Sequence, residues 1–317
     1  MPNNTDSYKK IGVQPIAGAL GAEVTGVNLR HFDDATFAEV RRAFADNVVL
    51  VFRDQNLSGV EMETFARRLG DLSIVAYINP IEGATYTARL LRLAEAKSGA
   101  RNYGDRWHND QSIRLVPPKA FLLQNVDCPP YGGGTMFSSL YKAYDGLSDG
   151  MKKLCESLIV VHSGSGVFGK TAKGGAGAKK PIQAEGSVTS FRFDDLDFEK
   201  YMSAEVEHPL VVVHPETGRK FLYVTGDYCV RFKDMTEIES KPLLDYLHAQ
   251  AARPEYTCRV RWSPGALVLA DNLCAQHFAV NDYAGYRREM YRLEIAGDAP
   301  PVGPAMPVRD PVRAAAE

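Results

Sequence analysis

Trp107-His108-Asn109-Asp110 sets an imidazole and a carboxylate two positions apart. On an extended strand, residues i and i+2 point to the same face, so His108 and Asp110 would project into one space. A second imidazole, His277, ends the segment Asp271-Asn272-Leu273-Cys274-Ala275-Gln276-His277, just after the apolar run Leu267-Val268-Leu269. If the fold returns His277 to the pair, two histidines and one carboxylate occupy one face of a metal and leave other positions open. That arrangement suits a non-haem Fe(II) oxygenase. An isolated H-x-D pair is weak evidence, because a polar histidine at a strand end, bonded to a neighbour, has the same sequence. Zinc accepts the same ligands in a tetrahedral site, so a zinc-binding jelly-roll protein without oxygenase activity is the competing reading.

Two arginines add weight. Arg288 and Arg292 follow His277 in the late stretch Tyr286-Arg287-Arg288-Glu289-Met290-Tyr291-Arg292. On a strand, positions 288, 290 and 292 share a face, so both guanidinium groups could look into the metal's cavity. An inward guanidinium is costly unless it meets an anion. A cavity with a divalent metal and two arginines therefore calls for two anions: a co-substrate that also chelates the metal, and the substrate. Each charge-assisted hydrogen bond would contribute roughly 1.5–3 kcal/mol. The alternative for Arg287, Arg288 and Arg292 is an exposed strand with snorkelling side chains.

The elements that must carry these residues read as mainly β with helical insertions. Two short strands fall within 11–27, separated by glycines. Asp33 or Asp34 caps a helix to about Asn47, and residues 48–52 form a fully buried strand. Ser58-Gly59-Val60-Glu61 is a capping box opening a helix to about Leu69, and Thr236-Glu237-Ile238-Glu239 opens another to about Ala251. Strands are expected at 90–93, 119–126, 135–138 and 159–162, with a helix at 148–158 between the last two. The flanks of residues 214–219 form a hairpin, residues 256–262 and 266–269 a second, and 289–295 a late strand. The total is roughly ten short strands and four helices, a β-sandwich or jelly roll with helical decoration.

Composition narrows the class. The 317 residues are 45% apolar and 24% charged, with a formal net charge of -2, as expected of a folded globular chain without a basic field for nucleic acid. No apolar run is long enough to span a bilayer, and the polar N-terminus has no signal-peptide core. Five scattered cysteines without C-x-x-C indicate reduced thiols in a cytoplasmic protein. Gly169-Lys170-Thr171, with Gly164 ahead of it, invites a P-loop reading, but the glycine-rich sequence that follows cannot form the helix a P-loop requires.

Taken together, these residues resemble the taurine dioxygenase and 2,4-dichlorophenoxyacetate dioxygenase family of Fe(II)/2-oxoglutarate-dependent oxygenases, from Gly21-Ala22-Glu23-Val24 through Glu294. His108-Asn109-Asp110 matches the family's H-x-D, and Asp271-Asn272 with His277 matches its distal-histidine segment. Arg288 falls where the family holds the far carboxylate of 2-oxoglutarate. Thr135, after the Gly132-Gly133-Gly134 turn, falls where a threonine assists. Arg292 falls where the taurine enzyme meets its substrate's anionic group. Within the family, residues 214–220, 239–244 and 257–262 look most like the (R)-phenoxypropionate dioxygenases. Asn109 in place of the more usual Thr or Ser, Ala270 where a Trp often stands, and the Gly/Lys-rich 164–180 segment are departures.

The resemblance implies a double-stranded β-helix, or jelly roll, in a single oxygenase domain over 1–317. Residues 73–106 and 164–205 would be lid or substrate loops and 298–317 a loose tail. It implies Fe(II) on His108, Asp110 and His277, 2-oxoglutarate on Arg288 and Thr135, and O2 as oxidant. Decarboxylation of 2-oxoglutarate to succinate would accompany hydroxylation of a small anionic substrate held by Arg292. Hydroxylation beside an ether oxygen would give a hemiacetal that collapses, as a phenoxyalkanoate would require. An alkyl sulfate, a sulfonate, an amino-acid derivative or a natural-product intermediate are the other substrate classes. Tyr228, Tyr77 and Ile78 are candidates for the substrate wall, with plain packing as the alternative reading. Asp110 argues against a halogenase, which needs that position for halide. A homo-oligomer is expected only by family analogy.

Overall fold

Neighbouring residues of the central strands go to two different cores, and that division organises the molecule. The computed structural model describes residues 8–75, 78–92, 104–165 and 198–304. β1 (Gly12–Pro15) and β2 (Ala22–Thr25) pair antiparallel, as their glycine-flanked apolar stretches predict. α1 (Asp34–Asn47) begins at Asp33, whose carboxylate accepts the Thr36 N–H. α2 (Gly59–Arg67) opens on the capping box between Ser58 and Glu61. β3 (Val49–Phe52) lies between these helices in the chain, followed by β4 (Leu72–Ser73), β5 (Ala88–Arg92) and β6 (Ala120–Asp127).

The second half of the chain folds largely into small sheets. β7 (Thr135–Ser139) leads through α3 (Leu140–Asp145) and α4 (Asp149–Glu156) to β8 (Ile159–His162). After α5 (Phe198–Ser203) come β9 (Val206–Pro209), the hairpin β10 (Val211–Val213) and β11 (Lys220–Leu222), and β12 (Cys229–Phe232). α6 (Glu237–Ala251) precedes β13 (Thr257–Val260), β14 (Leu267–Asp271), β15 (Ala275–Ala279) and β16 (Arg288–Ile295). The large sheet has the order β1-β2-β3-β14-β6-β16-β4, with β5 also paired to β16. The small sheets are β13-β7-β15, β12-β8-β9 and β10-β11.

On β3, Val49 and Val51 join the core shared with the small sheets, whereas Leu50 and Phe52 join the core under α1 and α2. β14 divides the same way, with Val268 and Ala270 on one side and Leu267 and Leu269 on the other. So does β6, with Phe121 and Leu123 opposed to Ala120 and Leu122. Period-two alternation thus buries both faces of the large sheet. Each fully buried Leu, Val or Phe contributes roughly 1.5–3 kcal/mol, so neither layer can be peeled away cheaply. The expected jelly roll is what forms, with the helices α1 and α2 as a third layer.

Two expectations need correction. Residues 256–262 and 266–269 do not form a hairpin: β13 pairs with β7, and β14 pairs with β3 and β6. Ser263-Pro264-Gly265 is a corner that carries the chain from one sheet to the other. The element total is also higher, with sixteen strands and six α-helices among the described residues. The additions, such as α3, β9 and β12, are only three to six residues long and are defined by partners distant in sequence. Of the expected loop segments, 76–77, 93–103, 166–197 and 305–317 lie outside the described residues. Residues 298–304 are held near β10, where the Val213 N–H donates to Val302 O at 2.9 Å.

Candidate active site

The site is made where β14 leaves the large sheet. Asp271 ends that strand, and its Oδ1 accepts the N–H groups of Leu273 (2.8 Å) and Cys274 (2.9 Å). This side-chain-capped turn sends the chain into β15 of the small sheet, so His277 sits on a strand facing the large one. His108 and His277 then exchange both backbone hydrogen bonds, at 3.0 and 2.8 Å. Such a pair sets its two side chains next to each other, and the rings stand 4.1 Å apart. His277 also packs against Phe121 of the large sheet, 4.8 Å between ring centroids.

The expected strand through His108 and Asp110 reduces to that single bridge. Asp110 instead opens a turn, with Gln111 in the left-handed region at φ 51°. What brings the carboxylate back is a pair of buried asparagines. Asn272 accepts the Asp110 N–H at 2.8 Å and donates to the Asp110 carbonyl at 2.9 Å. Asn109 donates through Nδ2 to the carbonyls of Asn272 (2.7 Å) and Ala275 (3.0 Å). The loop that carries His108 and Asp110 is therefore tied directly to the turn that leads to His277.

Asp110 stands between the two imidazoles. Its Oδ1 is 3.6 Å from His108 Nε2, and its Oδ2 is 3.6 Å from His277 Nε2. Both separations are too long for hydrogen bonds. A cation with metal–ligand bonds of roughly 2.0–2.2 Å fits between such atoms. His108 Nδ1 donates to Arg106 O at 2.7 Å, which leaves the Nε2 lone pair aimed at the centre, as in metal-bound histidines. Burial, reinforced by His108, pushes the His277 imidazole down to about 3, so it is neutral. Burial pushes the Asp110 carboxyl up, but Arg292, His277 and His108 outweigh it and hold the group at about 2. A neutral imidazole at His277 and an ionised carboxylate at Asp110 are protonation states a divalent metal requires. The donor set fits iron(II).

Arg288 and Thr135 meet at the start of their strands, with Arg288 Nη2 donating to Thr135 Oγ1 at 3.4 Å. Trp262 Nε1 donates to the same hydroxyl at 3.1 Å and fixes it. Gly133, at φ 62°, shapes the turn before Thr135, and a Cβ there would stand 3.1 Å from Pro129 Cγ and 3.2 Å from Tyr283 Cδ1. Arg292 is buried, and its Nη2 lies 2.6 Å from Asp110 Oδ2 and 2.7 Å from Glu294 Oε1. The other Glu294 oxygen accepts from Gln111 Nε2, and Gln111 Oε1 accepts the Tyr201 hydroxyl at 2.9 Å. Burial raises the Glu294 carboxyl above its usual range while Arg292 pulls it down. Both its oxygens accept hydrogen bonds, the pattern of an ionised carboxylate.

Of the wall candidates, Tyr228 is buried in a cluster with Ile113 and Met202, flanked by Tyr201. Ile78 is buried. Tyr77 lies outside the described residues. Asn109, Gln111, Asn272 and Glu294 were given no role at the site from sequence. Glu294 carried a signal: it is in phase with Arg288 and Arg292 on the same strand face.

A second group, His214, Asp271 and Cys274, also brings its donor atoms close together. His214 Nε2 donates to Asp271 Oδ2 at 2.8 Å, while its Nδ1 accepts the N–H groups of Glu216 (3.2 Å) and Thr217 (3.3 Å). Nε2 therefore carries the proton and has no lone pair for a metal. This cluster locks the β10–β11 hairpin to the turn that precedes β15.

A jelly roll with a buried face of two histidines and one carboxylate, backed by two arginines, defines a non-haem iron oxygenase. The chain belongs to the family described as Taurine catabolism dioxygenase TauD, TfdA family, which matches residues 12–293. It is similar to the alkylsulfatase of Acinetobacter baylyi, 31% identical over 294 residues, covering 92% of this chain and 86% of that protein. The (S)-phenoxypropionate/alpha-ketoglutarate-dioxygenase of Sphingobium herbicidovorans is 29% identical over 293 residues, covering 90% and 95%. The crystal structure of a taurine dioxygenase from Burkholderia xenovorans superposes with a TM-score of 0.74 at 30% identity, covering 93% of this chain and 94% of that one. The chain is thus a 2-oxoglutarate-dependent dioxygenase using Fe(II) and O2, and the zinc reading falls away. The phenoxypropionate relative is the (S)-enzyme, at 29% identity, beside the alkylsulfatase at 31%. No helix among the described residues is long and apolar enough to cross a membrane.

Proposed function

We propose that this enzyme hydroxylates a small organic substrate bearing an anionic group, and that His108, Asp110 and His277 hold its iron(II). The convergence of two imidazole Nε2 atoms on the Asp110 carboxylate carries this reading. Bound there, iron(II) supplies the oxygen chemistry that couples conversion of 2-oxoglutarate to succinate with substrate hydroxylation.

The protein's own groups bind and orient. Arg288 takes the far carboxylate of 2-oxoglutarate, with Thr135 beside it, held in place by Trp262. Arg292 stands on the same face of β16 and reads the substrate's anion. Tyr228 and Ile78 contribute to the substrate wall. Relatives named as an alkylsulfatase, a sulfate ester dioxygenase and a phenoxypropionate dioxygenase make sulfate esters and phenoxypropionates the first anions to try. A homo-oligomer is the assembly suggested by family analogy, and the cytoplasm its compartment.

Succinate release measured with Fe(II), 2-oxoglutarate and air, across hexyl sulfate, hexanesulfonate and 2-phenoxypropionate, tests this. Stimulation by at least one of the three anions supports the reading. Oxygen-dependent turnover unresponsive to every anion and stimulated instead by an uncharged compound would remove the anion requirement.

A further inference from the structure

Arg292 does not lack carboxylates: its Nη2 lies 2.6 Å from Asp110 Oδ2 and 2.7 Å from Glu294 Oε1. Arg288 and Arg292 bring two positive charges, and Asp110 and Glu294 bring two negative ones. Iron(II) and 2-oxoglutarate dianion add equal and opposite charge. Independently of Asp110, Glu294 Oε1 accepts from Arg292 Nη2 at 2.7 Å. Glu294 is wholly buried and cannot turn to solvent. Its second oxygen is held by Gln111, which the Tyr201 hydroxyl holds in turn. Gln111 follows the metal-ligand candidate directly and sits in the left-handed region, at φ 51°. A non-glycine residue is held in that region only where its surroundings over-determine it, so the surroundings fix this Gln111–Glu294 arrangement.

We infer that Glu294 is a specificity-determining residue of the substrate pocket: a resident carboxylate that shares Arg292 with the substrate's anionic group. A substrate anion does not fill an empty charge in this site. It competes with Glu294 for the guanidinium, and anions that compete poorly are turned away. The inference rests on the proposed role of Arg292 and names a residue that opposes it.

The test is equilibrium binding of hexyl sulfate, hexanesulfonate, 2-phenoxypropionate and uncharged hexanol to anaerobic protein loaded with Mn(II) and 2-oxoglutarate, followed by calorimetry. Glu294→Gln keeps the shape and removes the charge. It should tighten at least one of the anions by about tenfold, the scale of one charge-assisted contact, and leave hexanol unchanged. Adding Arg292→Gln should abolish the gain. Equal affinity in wild type and Glu294→Gln overturns the inference, as does an equal gain for hexanol or no anion binding to either protein. Circular dichroism reports folding. If Glu294→Gln does not fold, Glu294→Ala takes its place, and failure of both makes the residue structural and overturns its role in specificity. Succinate production by the wild type is measured separately. Its absence defeats the functional reading and leaves the affinity comparison standing, whereas turnover without an affinity change defeats only the role of Glu294.

Discussion

The Asn272 side chain grips the Asp110 backbone from both sides, accepting its N–H at 2.8 Å and donating to its C=O at 2.9 Å. The contact spans 162 residues of sequence and joins the turn after β14 to the loop holding two candidate ligands. The same Nδ2 also donates to Pro118 O.

Asn272→Ala would leave buried backbone groups of Asp110 without partners. Each such group costs about 1–3 kcal/mol. A group that orients a metal ligand typically contributes 10–100-fold to affinity. We therefore expect Asn272→Ala to bind Mn(II) about tenfold or more weakly by calorimetry. A folded variant with wild-type affinity would show that the clamp does not position Asp110.

Arg288→Ala should raise the apparent KM for 2-oxoglutarate far more than that for substrate, because the removed contact belongs to the co-substrate. Thr135→Val should do the same to a smaller degree, since its hydroxyl bonds Arg288 at 3.4 Å. Steady-state kinetics with each compound varied in turn separates the two. An unchanged 2-oxoglutarate KM in Arg288→Ala would remove its assigned role.

Stability should fall on mild acidification. Burial drives His162 well below its usual value, His208 to about 4 and, in the metal-free protein, His277 to about 3. Above the unfolded value near 6.5 these groups cost nothing. As pH drops from 6.5 towards 4 the unfolded chain takes up protons that the folded chain refuses, at up to about 1.4 kcal/mol per pH unit for each excluded proton. His214 acts the other way: burial lowers it, but Asp271 outweighs burial and raises it. Its contribution is present below 6.5 and is lost as pH rises through its folded value. The net expectation is roughly 3 kcal/mol less stability at pH 5.5 than at 7.5, read by urea unfolding with chelator present. Equal or greater stability at pH 5.5 would contradict it.

His214→Ala removes the partner of a buried carboxylate, a change that commonly costs about 3–5 kcal/mol. Urea unfolding should show a loss of that order. A loss below about 1 kcal/mol would mean the His214–Asp271 contact does not secure the turn.

The meeting of His108, Asp110 and His277 and the jelly roll were legible because H-x-D, the distal histidine and period-two strands are local patterns. The β13–β14 connection was not: a Ser-Pro-Gly turn reads identically whether the next strand pairs back or crosses to another sheet. Short elements such as β12 (Cys229–Phe232) exist only by virtue of partners far along the chain. The role of Asn272 was hidden for the same reason, since its bonds to Asp110 link distant segments. Glu294 differs, because its phase with Arg292 was visible and its consequence for the pocket's charge needed only to be counted.

The central claim is that His108, Asp110 and His277 hold iron(II) with 2-oxoglutarate beside it. Anaerobic titration with both, followed by absorption spectroscopy, tests it most directly. The wild type should develop the weak metal-to-ligand charge-transfer band of a chelated 2-oxoglutarate, and His108→Ala and His277→Ala should not. A wild type without the band, or a band that survives in both histidine variants, would contradict the assignment.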